Sequence, residues 1–313
     1  MNKMNKMKES KRIKFTKMHG CGNDFIVIDE HETEVIPERY KEELSRELCT
    51  RKLSIGADGV IFVCKPDPGS GCDTRMRIFN ADGTEAEMSG NGMRCFAKYV
   101  YERGLVHERR MKVETLGGLV VPEVKDLIDG RVATVRVFMG KPRFEWLNEP
   151  LYVNGIGEIK LTSLNLGNPH AVVILNSFSD LDVGMVGKRI ETHPAFPNRT
   201  NVNFVLLGAE DRDRNKSRNR NRNRNRNRNR NRNRNEIIVR TYERGVGETL
   251  SCGTGSTASV VVLEKLGLIN ASTPVTVHTR GGDLSVEVKE EGAYLTGPAE
   301  EIFEGVFTIH TTL

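Results

Sequence analysis

Two stretches of this chain match one another at a single ungapped offset. Setting Arg77 over Arg240, a shift of 163 residues, also pairs Phe79 with Tyr242, Glu85 with Glu248, Ser89 with Cys252, Gly90 with Gly253, Gly92 with Gly255, Gly104 with Gly267 and Leu105 with Leu268. A second pair, GNDFIVI (22–28) and GNPHAVVI (167–174), shares Gly-Asn before an apolar run at the nearby shift of 145. Two matches in the same order indicate a duplicated unit. The chain is therefore expected to form two similar halves facing each other across a pseudo-two-fold cleft, with Ser89 and Cys252 as symmetry mates looking into it. At 313 residues it has length enough for two domains.

Strand signals dominate both halves. Runs such as FIVID, GVIFVCK, RVATVRVFMGKP, HAVVIL, VNFVLLG and IIVRTYE are short, rich in β-branched residues and bounded by Gly, Pro, Asn or Asp. Helical periodicity is confined to four places. Two are peripheral, at 37–50 and 183–191; the others follow the glycine pairs. In the first of these, Met93, Phe96, Ala97, Val100 and Tyr101 line one face, whereas STASVVVL (256–263) is apolar nearly all round, as suits a helix enclosed by sheet. The expected class is α+β: two pseudo-symmetric mixed-sheet domains, each wrapped around a central helix, with the active site in the cleft between them.

One segment stands apart. DRDRNKSRNRNRNRNRNRNRNRNRNE is a two-residue Arg-Asn repeat with no apolar residue to build a core, so 209–236 is expected to be a disordered insertion that expands a hairpin loop between TNVNFVLLG and EIIVRTYERG. It holds eleven Arg and one Lys against four acids, so the formal net charge of +5 leaves about −3 for the rest of the chain. No aromatic interleaves these arginines. The tract would bind polyanions only through salt-sensitive, sequence-blind contacts, and a dedicated nucleic-acid partner is not expected. The six cysteines show no CxxC and no regular framework, which argues against a disulfide scaffold or a zinc ribbon. No segment reaches transmembrane length and the Lys-rich start has no apolar signal core, so a cytoplasmic protein without membrane partners is expected, with 1–12 disordered.

The repeated Gly-x-Gly turns carry the chemistry. At a helix start, free backbone N–H groups and the positive dipole end favour an anion, and glycine lets a ligand approach the backbone. Two such starts would grip a carboxylate. The same field should lower the pKa of a thiol at the N-cap, so Cys252 is expected to be a thiolate near neutral pH. Groups on opposite faces of one carbon can invert it, one removing a proton and the other delivering one. No dinucleotide fingerprint, phosphate loop or HExxH metal motif occurs, so neither a cofactor nor a metal is expected.

Taken together, FTKMHGCGNDFIVID, GADGVI, RIFNADGTEAEMSGNGMRCFAKYV, LGNPHAV, NRTNVNFV, RTYERGVGETLSCGTGSTA and YLTGPAE resemble the diaminopimelate epimerase family, over residues 14–307 apart from the Arg-Asn tract. The resemblance implies cofactor-independent interconversion of LL- and meso-2,6-diaminopimelate in lysine biosynthesis, with halves at 13–140 plus 299–313 and at 141–298, and it is compatible with a homodimer. It places substrate binding at Asn23, Asn80, Gly90, Asn91, Asn168, Asn201, Glu243, Arg244, Gly253 and Thr254. The N–H groups of Gly90, Asn91, Gly253 and Thr254 would hold the α-carboxylate, Arg244 the distal one, and Asn and Glu side chains the ammonium groups. His170 and Glu243 would adjust the acidity of the catalytic groups.

This chain departs from the family at one catalytic position. Where the family has its first catalytic cysteine, immediately before Gly-Asn-Gly, Ser89 stands here. Cys95 lies nearly two helical turns further on and should not reach the same point. Cys252 is then the surviving thiol acid/base, and Ser89 a much weaker acid partner. Three outcomes follow: an epimerase in which Ser89 or a water it holds relays the proton, a one-base isomerase or lyase on a related amino acid, or an inactive substrate-binding variant.

Overall fold

The computed structural model describes residues 9–208 and 235–311. In chain order the strands and helices are β1 (Glu9–Gly20), β2 (Asn23–Glu30), α1 (Lys41–Cys49), β3 (Gly59–Cys64), β4 (Thr74–Asn80), β5 (Glu85–Ala86), α2 (Gly90–Glu102), β6 (Val113–Thr115), β7 (Gly118–Val120), β8 (Glu123–Ile128) and β9 (Arg131–Gly140). They continue as β10 (Arg143–Val153), β11 (Gly157–Asn165), β12 (Pro169–Leu175), α3 (Val183–Glu191), β13 (Asn201–Leu207), β14 (Glu236–Glu243), β15 (Gly247–Thr249), α4 (Gly253–Lys265), β16 (Val275–Thr279), β17 (Gly282–Lys289), β18 (Gly292–Pro298) and β19 (Glu300–Thr311). Two compact units result, one up to Val135 together with the segment from Ala299, the other Arg136–Pro298. The division falls inside β9, between Val135 and Arg136. β1 begins at Glu9, within the 1–12 segment expected to be disordered, because β19 supplies its hydrogen-bonding partner. Residues 1–8 and nearly all of the Arg-Asn insertion, 209–234, lie outside the described residues.

The first unit is a mixed sheet in the order β19-β1-β2-β3-β4-β6-β7, with β5 on β4. β2 and β3 run parallel, as do β4 and β6; the neighbours between them are antiparallel. β3 (GVIFVC) is buried almost throughout because helices cover both of its faces. Ile26, Ile28, Val60, Phe62 and Phe79 pack with Leu44 and Leu48 of α1. α2 packs against β1 to β4, and every residue from Gly90 to Val100 is buried. The single apolar face seen in the sequence therefore understates its enclosure. Lys98 can be buried because its ammonium donates to Glu102 and to the carbonyl of Val132, both at 2.7 Å.

The second unit repeats this plan. Its sheet contains β11-β12-β13-β14-β16-β17 in the same sequence of pairings: antiparallel, parallel, antiparallel, parallel, antiparallel. β15 sits on β14 as β5 sits on β4. α4 packs against β12, β13, β14, β17 and β18, and α3 covers the other side of β13 and β14 with Val183 and Ile190. The duplication inferred from a few matching residues is thus a duplication of topology.

Candidate active site

Each central helix starts from a clamp made by two charged residues. In the first unit Arg77 Nε on β4 donates to Glu85 Oε1 on β5 at 2.7 Å; in the second, Arg240 Nε on β14 donates to Glu248 Oε1 on β15 at 2.9 Å. The clamp pins the short strand, and the chain then turns into the helix through Ser89 or Cys252. Both are N-caps with extended backbone, φ −136° and −121°. Ser89 Oγ accepts the N–H of Gly92 at 3.1 Å, and Cys252 Sγ accepts that of Gly255 at 3.4 Å. The cap satisfies one of the first-turn donors and leaves others for a ligand.

Around Ser89 the first unit gathers Asn23, Gly90 and Asn91. Asn91 Nδ2 donates to Asn23 Oδ1 at 3.2 Å, and Asn23 Nδ2 donates to Asp58 Oδ2 at 2.7 Å. Asn23 reaches this place because Cys21 and Gly22 turn the chain with positive φ, 54° and 84°, a conformation costly for most side chains. Asp58 was not expected among the functional residues, although it lies within the GADGVI motif. Arg51 ties it to Asp24, whose carboxyl stays below the usual range because Arg51 and Lys17 outweigh its burial. Asn80 is exposed and bonded to Thr84 across a tight turn. Cys95 is wholly buried, with burial pushing its thiol up to about 12, and belongs to the core.

The second unit brings together Asn168, His170, Asn201, Glu243, Arg244, Cys252, Gly253 and Thr254. Asn168 Nδ2 donates to Thr254 Oγ1 at 3.4 Å, and Thr254 Oγ1 lies 3.4 Å from Cys252 Sγ. Asn201 holds the turn after β14, accepting the N–H of Arg244 at 3.0 Å and donating to the carbonyl of Pro169 at 2.9 Å. Glu243 accepts from Thr249 at 2.6 Å. Glu191, absent from the expected set, is fully buried on α3 and accepts the N–H of Gly245 at 2.7 Å, fixing the same turn.

The acidity of Cys252 contradicts the expectation from its helix start. Burial pushes the thiol up to about 12, and the Glu243 carboxylate adds to the rise; the Thr254 hydroxyl and the N–H groups of Gly255 and Thr254 oppose it without prevailing. Cys252 is a protonated thiol at neutral pH. The helix-end field is worth too little against the loss of water around the sulfur. His170 moves the other way, pushed down to about 3 by burial and by the positive charge of Arg244, and is a neutral imidazole. Among the described residues no group of three or more His, Cys, Asp or Glu is arranged to hold a metal, and no helix is long and apolar enough to cross a membrane.

The sequence model of the family described as Diaminopimelate epimerase matches residues 15–145 and 162–302. The chain belongs to the diaminopimelate epimerase family. A relative of that name from Methanothermobacter thermautotrophicus is 44% identical over 94% of this chain and 98% of its own length. Another, from Methanocaldococcus jannaschii, is 42% identical over 93% and 97%. Solved structures extend the fold beyond the family. A hydroxyproline epimerase from Agrobacterium vitis superposes with a TM-score of 0.68 at 16% identity, covering 99% of this chain and 95% of that one. A Bacillus anthracis phenazine biosynthesis protein of the PhzF family gives 0.69 at 15%, covering 95% and 99%. Both segments of the family match include a capped Gly-x-Gly helix start, so membership covers the Ser89 and the Cys252 sites alike.

Proposed function

We propose that this protein interconverts LL- and meso-2,6-diaminopimelate by moving a proton at the α-carbon, without a cofactor, in lysine biosynthesis. The observation that carries this reading is the duplicated helix start, capped in one unit by Ser89 and in the other by Cys252. In the proposed reaction the N–H groups at the starts of α2 and α4 hold the α-carboxylate and Arg244 the distal one. Asn23, Asn80, Asn168, Asn201 and Glu243 receive the ammonium groups. On the Ser89 side the hydroxyl, or a water it holds, takes the α-proton, the electron pair of the broken Cα–H bond passes into the carboxylate-stabilised carbanion, and a proton arrives from the opposite face. Cys252, neutral before substrate binds, is equipped to deliver that proton. In the reverse direction its thiolate removes one. A cytoplasmic location goes with a biosynthetic role.

Ser89 favours a second reading. A hydroxyl is a far weaker acid than a thiol, so the Ser89 face works through the hydroxyl or a water it holds, or the enzyme runs a one-base exchange or elimination on a related amino acid. Incubating LL-diaminopimelate with the protein in D₂O separates the two. Meso product carrying one α-deuteron supports epimerisation; deuterium in recovered LL-substrate without inversion supports the one-base reaction; no deuterium in either species sinks both readings. Ser89→Cys should raise inversion by at least about tenfold if the hydroxyl limits reprotonation.

A further inference from the structure

Beneath Cys252 lie two buried polar residues, Asn203 and Thr241, that the proposed chemistry does not use. We infer that Asn203 and Thr241 are positioning residues that set the direction of a hydrogen-bond chain running through His170, Asn168 and Thr254 to the sulfur of Cys252. The inference rests on reading Cys252 as the acid/base.

The direction follows from one fixed point, the carbonyl oxygen of Ala171. It can only accept, and Asn203 Nδ2 lies 3.5 Å from it, which orients the amide. The same nitrogen is 3.1 Å from His170 Nδ1, so that ring nitrogen accepts. A neutral imidazole then carries its proton on Nε2, 2.9 Å from Asn168 Oδ1. With its oxygen occupied, Asn168 turns Nδ2 toward Thr254 Oγ1. Thr254 Oγ1, already receiving a proton, has its own O–H available for Cys252 Sγ when the sulfur is a thiolate. At the far end Thr241 Oγ1 donates to Asn203 Oδ1 at 3.1 Å and holds the first amide in place.

Water has no access to the inner end of this chain: His170 and Asn203 are 0% exposed and Thr241 3%. The charged groups facing the chain are Arg244 beside His170 and Glu243 beside Cys252. Asn203 also explains Gly255, where a Cβ would overlap the Asn203 amide oxygen; Gly255 is the residue whose N–H reaches Cys252. Among the described residues the first unit has no counterpart of this hydrogen-bond chain. The strand registers that pair Val202 with Tyr242 and Val60 with Phe79 put Ile61 at the place of Asn203. The sequence offsets put Phe25 at the place of His170 and Ile78 at that of Thr241. The polar chain thus accompanies the thiol, and the matching positions beneath the hydroxyl are apolar.

Three readouts test this, none of which needs turnover. In ¹⁵N NMR of the wild-type protein, with the signal assigned by its loss in His170→Gln, His170 should be a neutral Nε2–H tautomer down to pH 5; an Nδ1–H tautomer overturns the inference. The pH dependence of iodoacetamide alkylation at Cys252, read by mass spectrometry, should show slower reaction in Asn203→Leu by about threefold to tenfold at fixed pH, as a thiol pKa raised by up to one unit requires. Thr241→Val should do the same more weakly and Thr241→Ser should restore the wild-type profile, a rescue that packing alone would not give. If Asn203→Leu does not fold, the Thr241 pair and the wild-type tautomer still decide. Wild-type alkylation in the variants overturns the inference. If the three readouts come out as expected and no epimerisation occurs, the proposed function falls and the hydrogen-bond chain stands. For an active enzyme, Thr241→Val should lower kcat with KM unchanged.

Discussion

Gly255 donates its N–H to Cys252 Sγ across 3.4 Å, so the sulfur caps the helix whose start it occupies. Gly92 makes the matching bond to Ser89 Oγ. The cap and the proposed acid/base role can therefore be separated by substitution at residue 252. Cys252→Ser keeps a capping oxygen, and serine is among the best caps, so stability should stay within about 0.5 kcal/mol of wild type. Cys252→Ala should cost about 0.5–2 kcal/mol from the lost cap. Both should abolish α-proton exchange in D₂O, followed by NMR beside urea denaturation. Exchange that survives in Cys252→Ala would remove Cys252 from its role.

Stability should fall on both sides of neutrality for identifiable reasons. His170 has its folded pKa depressed to about 3, so below pH 6.5 the unfolded chain takes up a proton that the folded chain refuses. The stability associated with its burial is present above pH 6.5 and lost as pH falls toward 3. The thiols of Cys49, Cys95 and Cys252 are each pushed up to about 12, from an ordinary 9, so unfolded thiols ionise first and stability is lost as pH rises from 9 to 12. Urea unfolding across this range should show both limbs. His170→Gln should flatten the change between pH 6.5 and 5, and an unchanged slope there would refute the buried, neutral assignment.

Lys41 and Glu30 form a buried ion pair at 2.6 Å, with side chains only 2% and 3% exposed. Glu30 Oε1 also accepts the N–H groups of Val35 and Ile36, and Lys41 donates to the carbonyl of Ile36, so the pair ties the loop before α1 to β2. Lys41→Met leaves a buried carboxylate without its cation and should cost about 3–5 kcal/mol in urea denaturation. Adding Glu30→Gln should recover much of that loss. Equal stability of the single and double variants would show that the pair does not act as a unit.

β13 and β14 pair down to Leu207 and Ile237, and Gly208 donates to the carbonyl of Glu236 at 3.1 Å. The strands are thus complete without the Arg-Asn tract between them. Replacing 209–235 with Asn-Gly, a two-residue hairpin turn, should leave turnover unchanged. It should raise stability by about 2 kcal/mol from reduced loop-closure entropy. Retention on heparin should fall. Lost turnover would assign the tract a part in function.

Much of the architecture was legible before any coordinates, and the omissions have physical causes. β10 escaped notice because it is an edge strand, with Glu145, Glu149 and Pro150 along RFEWLNEPLYV, and an edge needs no apolar alternation. β18, GAYLTGP, carries turn residues at both ends, and β1 begins in a lysine-rich stretch that looked too polar to order. Within the site, Asn203 and Thr241 sit in apolar runs where a single polar residue reads as an interruption; only their meeting across β13 and β14 makes them a pair.

The duplicated unit, the two capped helix starts, and the placement of serine at one and cysteine at the other could all be read from residue order, because each depends on a residue and its next few neighbours along the chain. The protonation of Cys252 and the state of the His170 ring could not. They depend on how much water is excluded and on which groups arrive from β12, β13 and β14, segments far apart in the chain, and only folding brings those together.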